Sequence, residues 1–147
     1  MNAPLRSFTQ ELTQEHAPPL RLVIVEDDLD HYKILKRIVS TQFPHLSIVG
    51  HCESVQELRA HIASEKPDIV LLDIQVRGGC ALETLATMTE RHFDFIVISA
   101  QRQFRYAQEA IRLGATHYLP KPYKRHDLVT ALQIWSLPNA PMLHELR

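Results

Sequence analysis

Cysteine is scarce: Cys52 and Cys80 are the only two, they lie far apart, and they form no Cys-x-x-Cys pair. Neither a disulfide framework nor a thiolate zinc site is therefore expected. The nine histidines include no His-x-x-x-His or comparable ligand spacing, and they read as surface or partly buried side chains. No stretch approaches the roughly 20 consecutive apolar residues of a membrane span. The N-terminus, with Arg6, Gln10, Glu11 and Glu15, lacks the apolar core of a signal peptide. A cytoplasmic chain without membrane attachment is expected. With only four glycines there is no Gly-rich, phosphate-cradling loop after the first predicted strand, which weighs against a nucleotide binder.

What is present suits one globular domain: 147 residues, 45% of them apolar, enough to cover a sheet on both faces. Charge is nearly balanced overall, with 16 basic and 17 acidic residues. It is uneven along the chain, however: residues 1–90 hold 8 basic and 13 acidic, and residues 91–147 hold 8 basic and 4 acidic. Solvated surface charge accounts for most such imbalances, and no direct nucleic-acid binding is inferred from it. Residues 1–19 are polar and end in Pro18-Pro19, which bars a helix from continuing into Leu20 and beyond, so a flexible arm is expected there.

The most informative stretch is Asp68-Ile69-Val70-Leu71-Leu72-Asp73. Four consecutive apolar residues after Pro67 read as a strand covered on both faces. Similar patterns predict strands over Leu20–Val25, Leu46–Gly50, Phe95–Ile98 and His117–Leu119. Helical spacing between them predicts a helix capped by Asp30 and running to Pro44, in which Tyr32, Ile34, Leu35, Ile38 and Val39 recur. A second helix opens with a Ser54-x-x-Glu57 capping box and closes at Pro67. A third carries Leu82, Leu85 and Met88, a fourth Ala107, Ala110 and Ile111 before Gly114, and a last runs from Arg125 to Trp135 with Leu128 and Leu132 on one side. Strand starts near 20, 46, 68, 95 and 117 are spaced as a strand, a loop and one crossover helix require. Five βα units with right-handed crossovers make a three-layer α/β sandwich around a parallel five-stranded sheet.

Carboxylates cluster at the predicted strand ends: Glu26 and Asp27 after the first, Asp73 at the end of the third. In open α/β sheets the chemistry sits beyond the carboxyl ends of the strands. Acidic groups gathered there repel one another unless a cation lies between them, and Mg2+ suits hard oxygen ligands and commonly bridges carboxylates to a phosphoryl group. Glu26 to Asp28 could instead serve only to cap the first helix, but that leaves Asp73 unexplained. Ser99 and Lys121, at the ends of the fourth and fifth strands, supply a hydroxyl and a point positive charge. Both can stabilise charge on a transferring phosphoryl group. Asp73 is then the nucleophile, forming an aspartyl phosphate.

With these residues in place, the chain resembles the receiver domain of bacterial two-component response regulators over about residues 20–136. The matching stretches are Leu22-Val23-Ile24-Val25-Glu26-Asp27-Asp28, Asp68-Ile69-Val70-Leu71-Leu72-Asp73-Ile74, Ile96-Val97-Ile98-Ser99-Ala100 and Gly114-Ala115-Thr116-His117-Tyr118-Leu119-Pro120-Lys121-Pro122. The resemblance implies a flavodoxin-like sheet in the order 2-1-3-4-5. It implies that Asp73 accepts phosphate from a sensor histidine kinase or a phosphotransfer protein. Asp27, Asp73 and the Gln75 backbone carbonyl would ligate Mg2+, with Glu26 assisting through water. Ser99 and Lys121 would bind phosphoryl oxygens, Tyr118 would be the switch aromatic that follows Ser99 inward, and the Lys121-Pro122 bond would be cis. The resemblance further implies a phosphorylation-dependent homodimer through residues 101–136, whose Arg102, Arg105, Arg112, Lys124 and Arg125 stand beside Glu109 and Asp127.

Three positions depart from the family pattern. Arg77 replaces a usual Pro, Gly78-Gly79 follows it, and Ala81 replaces a frequent Gly, so Gln75–Gly79 reads as a loop of altered character. Residues 137–147 read as a frayed tail, and the chain is either a stand-alone receiver or the receiver part of a longer regulator. An Mg2+-dependent phosphohydrolase of the aspartyl-phosphate type is the alternative function. It expects a second Asp two residues after the nucleophile, where this chain has Gln75.

Overall fold

The computed structural model of the chain describes residues 19–137; the expected arm up to Pro18 and the tail beyond Leu137 lie outside the described residues. Five parallel strands, β1 (Leu20–Val25), β2 (Leu46–Cys52), β3 (Ile69–Leu72), β4 (Asp94–Ser99) and β5 (His117–Pro120), form one sheet in the order β2-β1-β3-β4-β5. Helices α1 (Leu29–Gln42), α2 (Val55–Glu65), α3 (Ala81–Ala86) and α4 (Phe104–Arg112) cross over between successive strands, and α5 (Arg125–Ser136) follows the last.

The layering follows from the two-residue period of a strand. Val23, Val25, Val70, Leu72, Phe95 and Val97 enter one core, against Leu58 of α2, Leu82 and Leu85 of α3 and Ala110 of α4. Their sequence neighbours Leu22, Ile24, Ile69, Leu71, Ile96 and Ile98 enter a second core, against Leu35, Ile38 and Val39 of α1 and Leu128, Leu132 and Trp135 of α5. Apolar side chains on both faces leave each central strand one continuous hydrophobic run. Each fully buried Leu or Ile contributes roughly 1.5–3 kcal/mol. At the edge, β5 divides in the same way: Tyr118 packs on the first core and Leu119 on the second.

Local chemistry differs from the sequence expectation at several ends. Asp28, not Asp30, caps α1. Its extended backbone lets the carboxylate accept from the N–H groups of Asp30 at 3.0 Å and His31 at 3.4 Å. At α2, Ser54 accepts from Glu57 N–H at 3.1 Å, but the Glu57 carboxylate takes the N–H of Glu53, so the box is not reciprocal. That helix ends at Lys66, in a left-handed conformation with φ 48°, one residue before Pro67. Helix α3 spans only six residues, and Met88 lies past its end while still packing on the first core. Ile34 and Ile111 are 53% and 49% exposed. Each neighbours a core residue, Leu35 or Ala110, and so lies about 100° round the helix from it.

In place of the loop expected over Gln75–Gly79 stands a two-stranded ribbon, in which Gln75–Val76 pairs antiparallel with Gly79–Cys80. Its base is closed by Ala81 N–H on Ile74 O at 2.7 Å, and its tip is tied to α2 by Val55 N–H on Arg77 O at 3.0 Å. The turn needs positive φ, 87° at Gly78 and 141° at Gly79. A Cβ at Gly78 would also lie 2.6 Å from Gln56 Oε1 and 3.0 Å from Val55 Cγ2. Gly78→Ala should therefore cost about 1–2 kcal/mol of unfolding free energy, read as a lowered urea midpoint at unchanged slope.

Candidate functional site

Backbone ladders run one residue past the strands and fix the rim where the expected side chains meet. Glu26 N–H donates to Cys52 O at 2.9 Å, Asp73 N–H to Val25 O at 3.0 Å, and Lys121 N–H to Ser99 O at 2.8 Å. From those anchors Lys121 reaches across the rim: Nζ donates to Glu26 Oε1 at 2.8 Å and to Asp73 Oδ2 at 3.0 Å. The Lys121-Pro122 bond is cis, as the resemblance implies. Glu26, Asp27 and Asp73 each place a carboxylate oxygen within 4.8 Å of the others, the only such acidic, histidine or cysteine group among the described residues. Three carboxylates facing one ammonium leave the cluster net negative. Its all-oxygen donor set fits a hard divalent cation such as Mg2+.

The two bridged carboxylates differ in environment. The Glu26 side chain is 1% exposed, and burial alone would raise its pKa. Hydrogen bonds from His31 and Lys121, together with the Lys121 charge, outweigh burial and lower it to about 2. For Asp73 burial prevails: with the nearby Glu26 charge adding to it and Lys121 opposing, the pKa rises from an ordinary 3.8 to about 6. Lys121 is stabilised in its charged form, because the bonds and charges of Glu26 and Asp73 outweigh its own burial.

Ser99 is buried beside them, and its Oγ accepts from Gln101 N–H at 3.0 Å. Tyr118, half-buried, donates its hydroxyl to Gln101 O at 3.2 Å, so the two side chains hold the same residue by its two backbone groups. Gln75 opens the ribbon two residues after Asp73, and its side-chain amide donates to the Tyr106 hydroxyl at 3.2 Å. Glu26, Asp27, Asp73, Ser99 and Lys121 thus lie at the carboxyl ends of the parallel strands, with Gln75 at the start of the ribbon and Tyr118 within β5.

Two participants were not legible in the sequence. His31, on the first turn of α1, places Nδ1 on Glu26 Oε1 and Nε2 2.7 Å from the Tyr123 hydroxyl. Burial pushes the Tyr123 phenol up to about 12. The only signal available was position: a polar ring five residues after Glu26 and a Tyr two after Lys121. No local pattern joins residues so far apart in the chain. His51 also reaches Glu26, donating from Nε2 to its backbone carbonyl at 2.8 Å while stacking on Tyr32 at 3.6 Å.

The sign of the Asp73 shift makes a prediction. A folded-state pKa above the ordinary value means the buried carboxylate costs stability at neutral pH, and that the cost fades as the pH falls through about 6 towards 4. In buffer free of divalent ions, Asp73→Asn should raise the unfolding free energy by about 1–3 kcal/mol at neutral pH, with the gain vanishing near pH 4. Denaturant titrations across that pH range read it directly.

Comparison with known proteins agrees with the fold. Residues 22–133 match the model of the response regulator receiver domain. The chain is 33% identical over 127 residues to the positive alginate biosynthesis regulatory protein of Pseudomonas aeruginosa, a match that covers 86% of this chain and 51% of that protein. The chain spans about half or less of the length of the first curated relatives it matches. Among solved structures, the N-terminal domain of an uncharacterized protein from Wolinella succinogenes is 31% identical, with TM-score 0.68 over 78% of this chain and 91% of that one. The non-phosphorylated HemR receiver domain of Leptospira biflexa shares the fold at 21% identity, with TM-score 0.71 over 82% of this chain and 97% of that one. A parallel sheet of order 2-1-3-4-5, an acidic cluster at its rim with one lysine across it, and a family match over most of the chain lead to one conclusion: this protein belongs to the response regulator receiver domain family.

Proposed function

We propose that this chain is a phosphoacceptor switch of a two-component system, with Asp73 as the acceptor and residues 20–136 as the receiver unit. The observation that carries this reading is Lys121, which bridges Asp73 at 3.0 Å and Glu26 at 2.8 Å beside Asp27. The donor is the phosphohistidine of a cytoplasmic sensor kinase or a phosphotransfer protein. A carboxylate oxygen of Asp73 attacks phosphorus, the P–N bond breaks, and the imidazole leaves with its electron pair and takes up a proton.

Asp27, Asp73 and the Gln75 backbone carbonyl would hold Mg2+, with Glu26 acting through water. Bound there, the ion neutralises charge that develops on the phosphoryl oxygens. Lys121 supplies the second positive charge, and Ser99 a hydroxyl for a further oxygen. Once Ser99 turns to the phosphoryl group it releases Gln101 N–H, and Tyr118, which holds Gln101 O, follows inward. The population then shifts between two packings of the 101–136 face. Glu109 and Arg112 of that face pair within α4 at 2.6 Å, so a symmetric dimer through it would exchange this pair for contacts between chains.

The phosphohydrolase alternative lacks its second carboxylate, since position 75 is Gln and its amide is engaged with Tyr106. The chain is read as an acceptor and not an enzyme of its own.

Incubation with acetyl phosphate and Mg2+ should add the mass of one phosphoryl group to the wild type and none to Asp73→Asn. Stable labelling of that variant would refute the assignment. Lys121→Ala should retain its circular dichroism spectrum but incorporate phosphate at least about tenfold more slowly. With beryllofluoride and Mg2+, sedimentation at micromolar protein should report a rise from monomer towards dimer mass; an unchanged mass removes the dimer from the proposal.

A further inference from the structure

Glu26 is the most enclosed charge of the site, and one of its oxygens bears almost the whole task of keeping it compensated. Oε1 receives both Lys121 Nζ at 2.8 Å and His31 Nδ1, whereas Oε2 receives only the N–H of Asp28 at 3.3 Å. A buried carboxylate that loses a partner becomes strongly unfavourable. Lys121, however, has a second task at Asp73, 3.0 Å away. A phosphoryl group on Asp73 would offer Lys121 more negative charge than the carboxylate it now serves, and would draw Nζ away from Glu26.

The His31 side chain is 14% exposed and is held on its far side. Its Nε2 lies 2.7 Å from the Tyr123 hydroxyl, and the two rings meet edge to face at 5.6 Å and 61°. A carboxylate can only accept, so Nδ1 donates to Glu26, and the Tyr123 hydroxyl, able to donate or accept, holds Nε2 and fixes the aim of the ring. His31 does not belong to the group of side chains that could share an ion, which is Glu26, Asp27 and Asp73.

We propose that His31, oriented by Tyr123, is a positioning residue of the phosphoryl site: it keeps Glu26 compensated and in place when Lys121 turns to the phosphoryl group on Asp73. The inference rests on the reading of Asp73 as phosphoacceptor. It differs from a packing role in one respect: the effect of removing His31 appears chiefly in the phosphoryl-loaded state, and only while position 26 is charged.

Calorimetric titration of the full chain with beryllofluoride in saturating Mg2+ tests it. Wild type should bind the mimic, and His31→Phe should raise the half-saturating concentration by about tenfold or more. Tyr123→Phe, which removes only a hydroxyl, should move it in the same direction by a smaller factor, and it carries the test if His31→Phe does not fold. In a Glu26→Gln background, where the neutral amide needs no compensation, His31→Phe should change the affinity less than about twofold. An equal loss in both backgrounds would make His31 a packing residue and overturn the proposal, as would undiminished affinity in both His31→Phe and Tyr123→Phe. A wild type that fails to bind the mimic removes the phosphoacceptor reading and this inference together, whereas normal wild-type binding with silent variants removes this inference alone.

Discussion

One ammonium group shared by two carboxylates governs the rim of this sheet. Glu26 and Asp73 are both largely enclosed, and without Lys121 between them their charges would repel in a medium that screens poorly. The sharing is unequal: Glu26, with His31 added, is held below the ordinary carboxylate range, while burial pushes Asp73 above it. The site therefore combines one carboxylate committed to its charge with another whose charge responds readily to its surroundings. An incoming cation or phosphoryl group would find the second easier to influence.

The separations that make this work are set by backbone and not by side-chain packing. Parallel pairing holds β1, β3, β4 and β5 in register, and the three ladder bonds beyond the strand ends carry that register to Glu26, Asp73 and Lys121. A long flexible lysine then needs only to span a gap the sheet has already fixed. The ribbon after Asp73 extends the same logic, since its tip is pinned to the start of α2 and its Gln75 amide to Tyr106.

Much of this was legible in the sequence because the signals were local and redundant. Apolar runs of β1, β3 and β4 each ended in a polar residue at one rim, and even βα spacing fixed the layer order. What was missed depended on distance or on fine geometry. His31 and Tyr123 meet across 92 positions of chain, and neither belongs to any short motif. The ribbon escaped notice because two glycines signal a turn without saying what pairs on either side of it. Asp28 and Asp30 are equally good caps by composition, and only the dihedral angles of Asp28 decided between them. Ile34 and Ile111 looked buried because a helical stripe read from sequence is wider than the strip a flat sheet can cover.

The edge strand β5 contributes neighbouring residues to opposite sides of the sheet, Tyr118 to the core beneath α4 and Leu119 to the core beneath α5. These two interiors share no side chain, because the hydrogen-bonded backbone separates them everywhere else. Any sideways slip of this border strand must consequently be felt in both compartments together, as pulling one seam tightens the cloth on either side. The border strand is thereby a direct physical link between the helices packed on the two faces of the sheet.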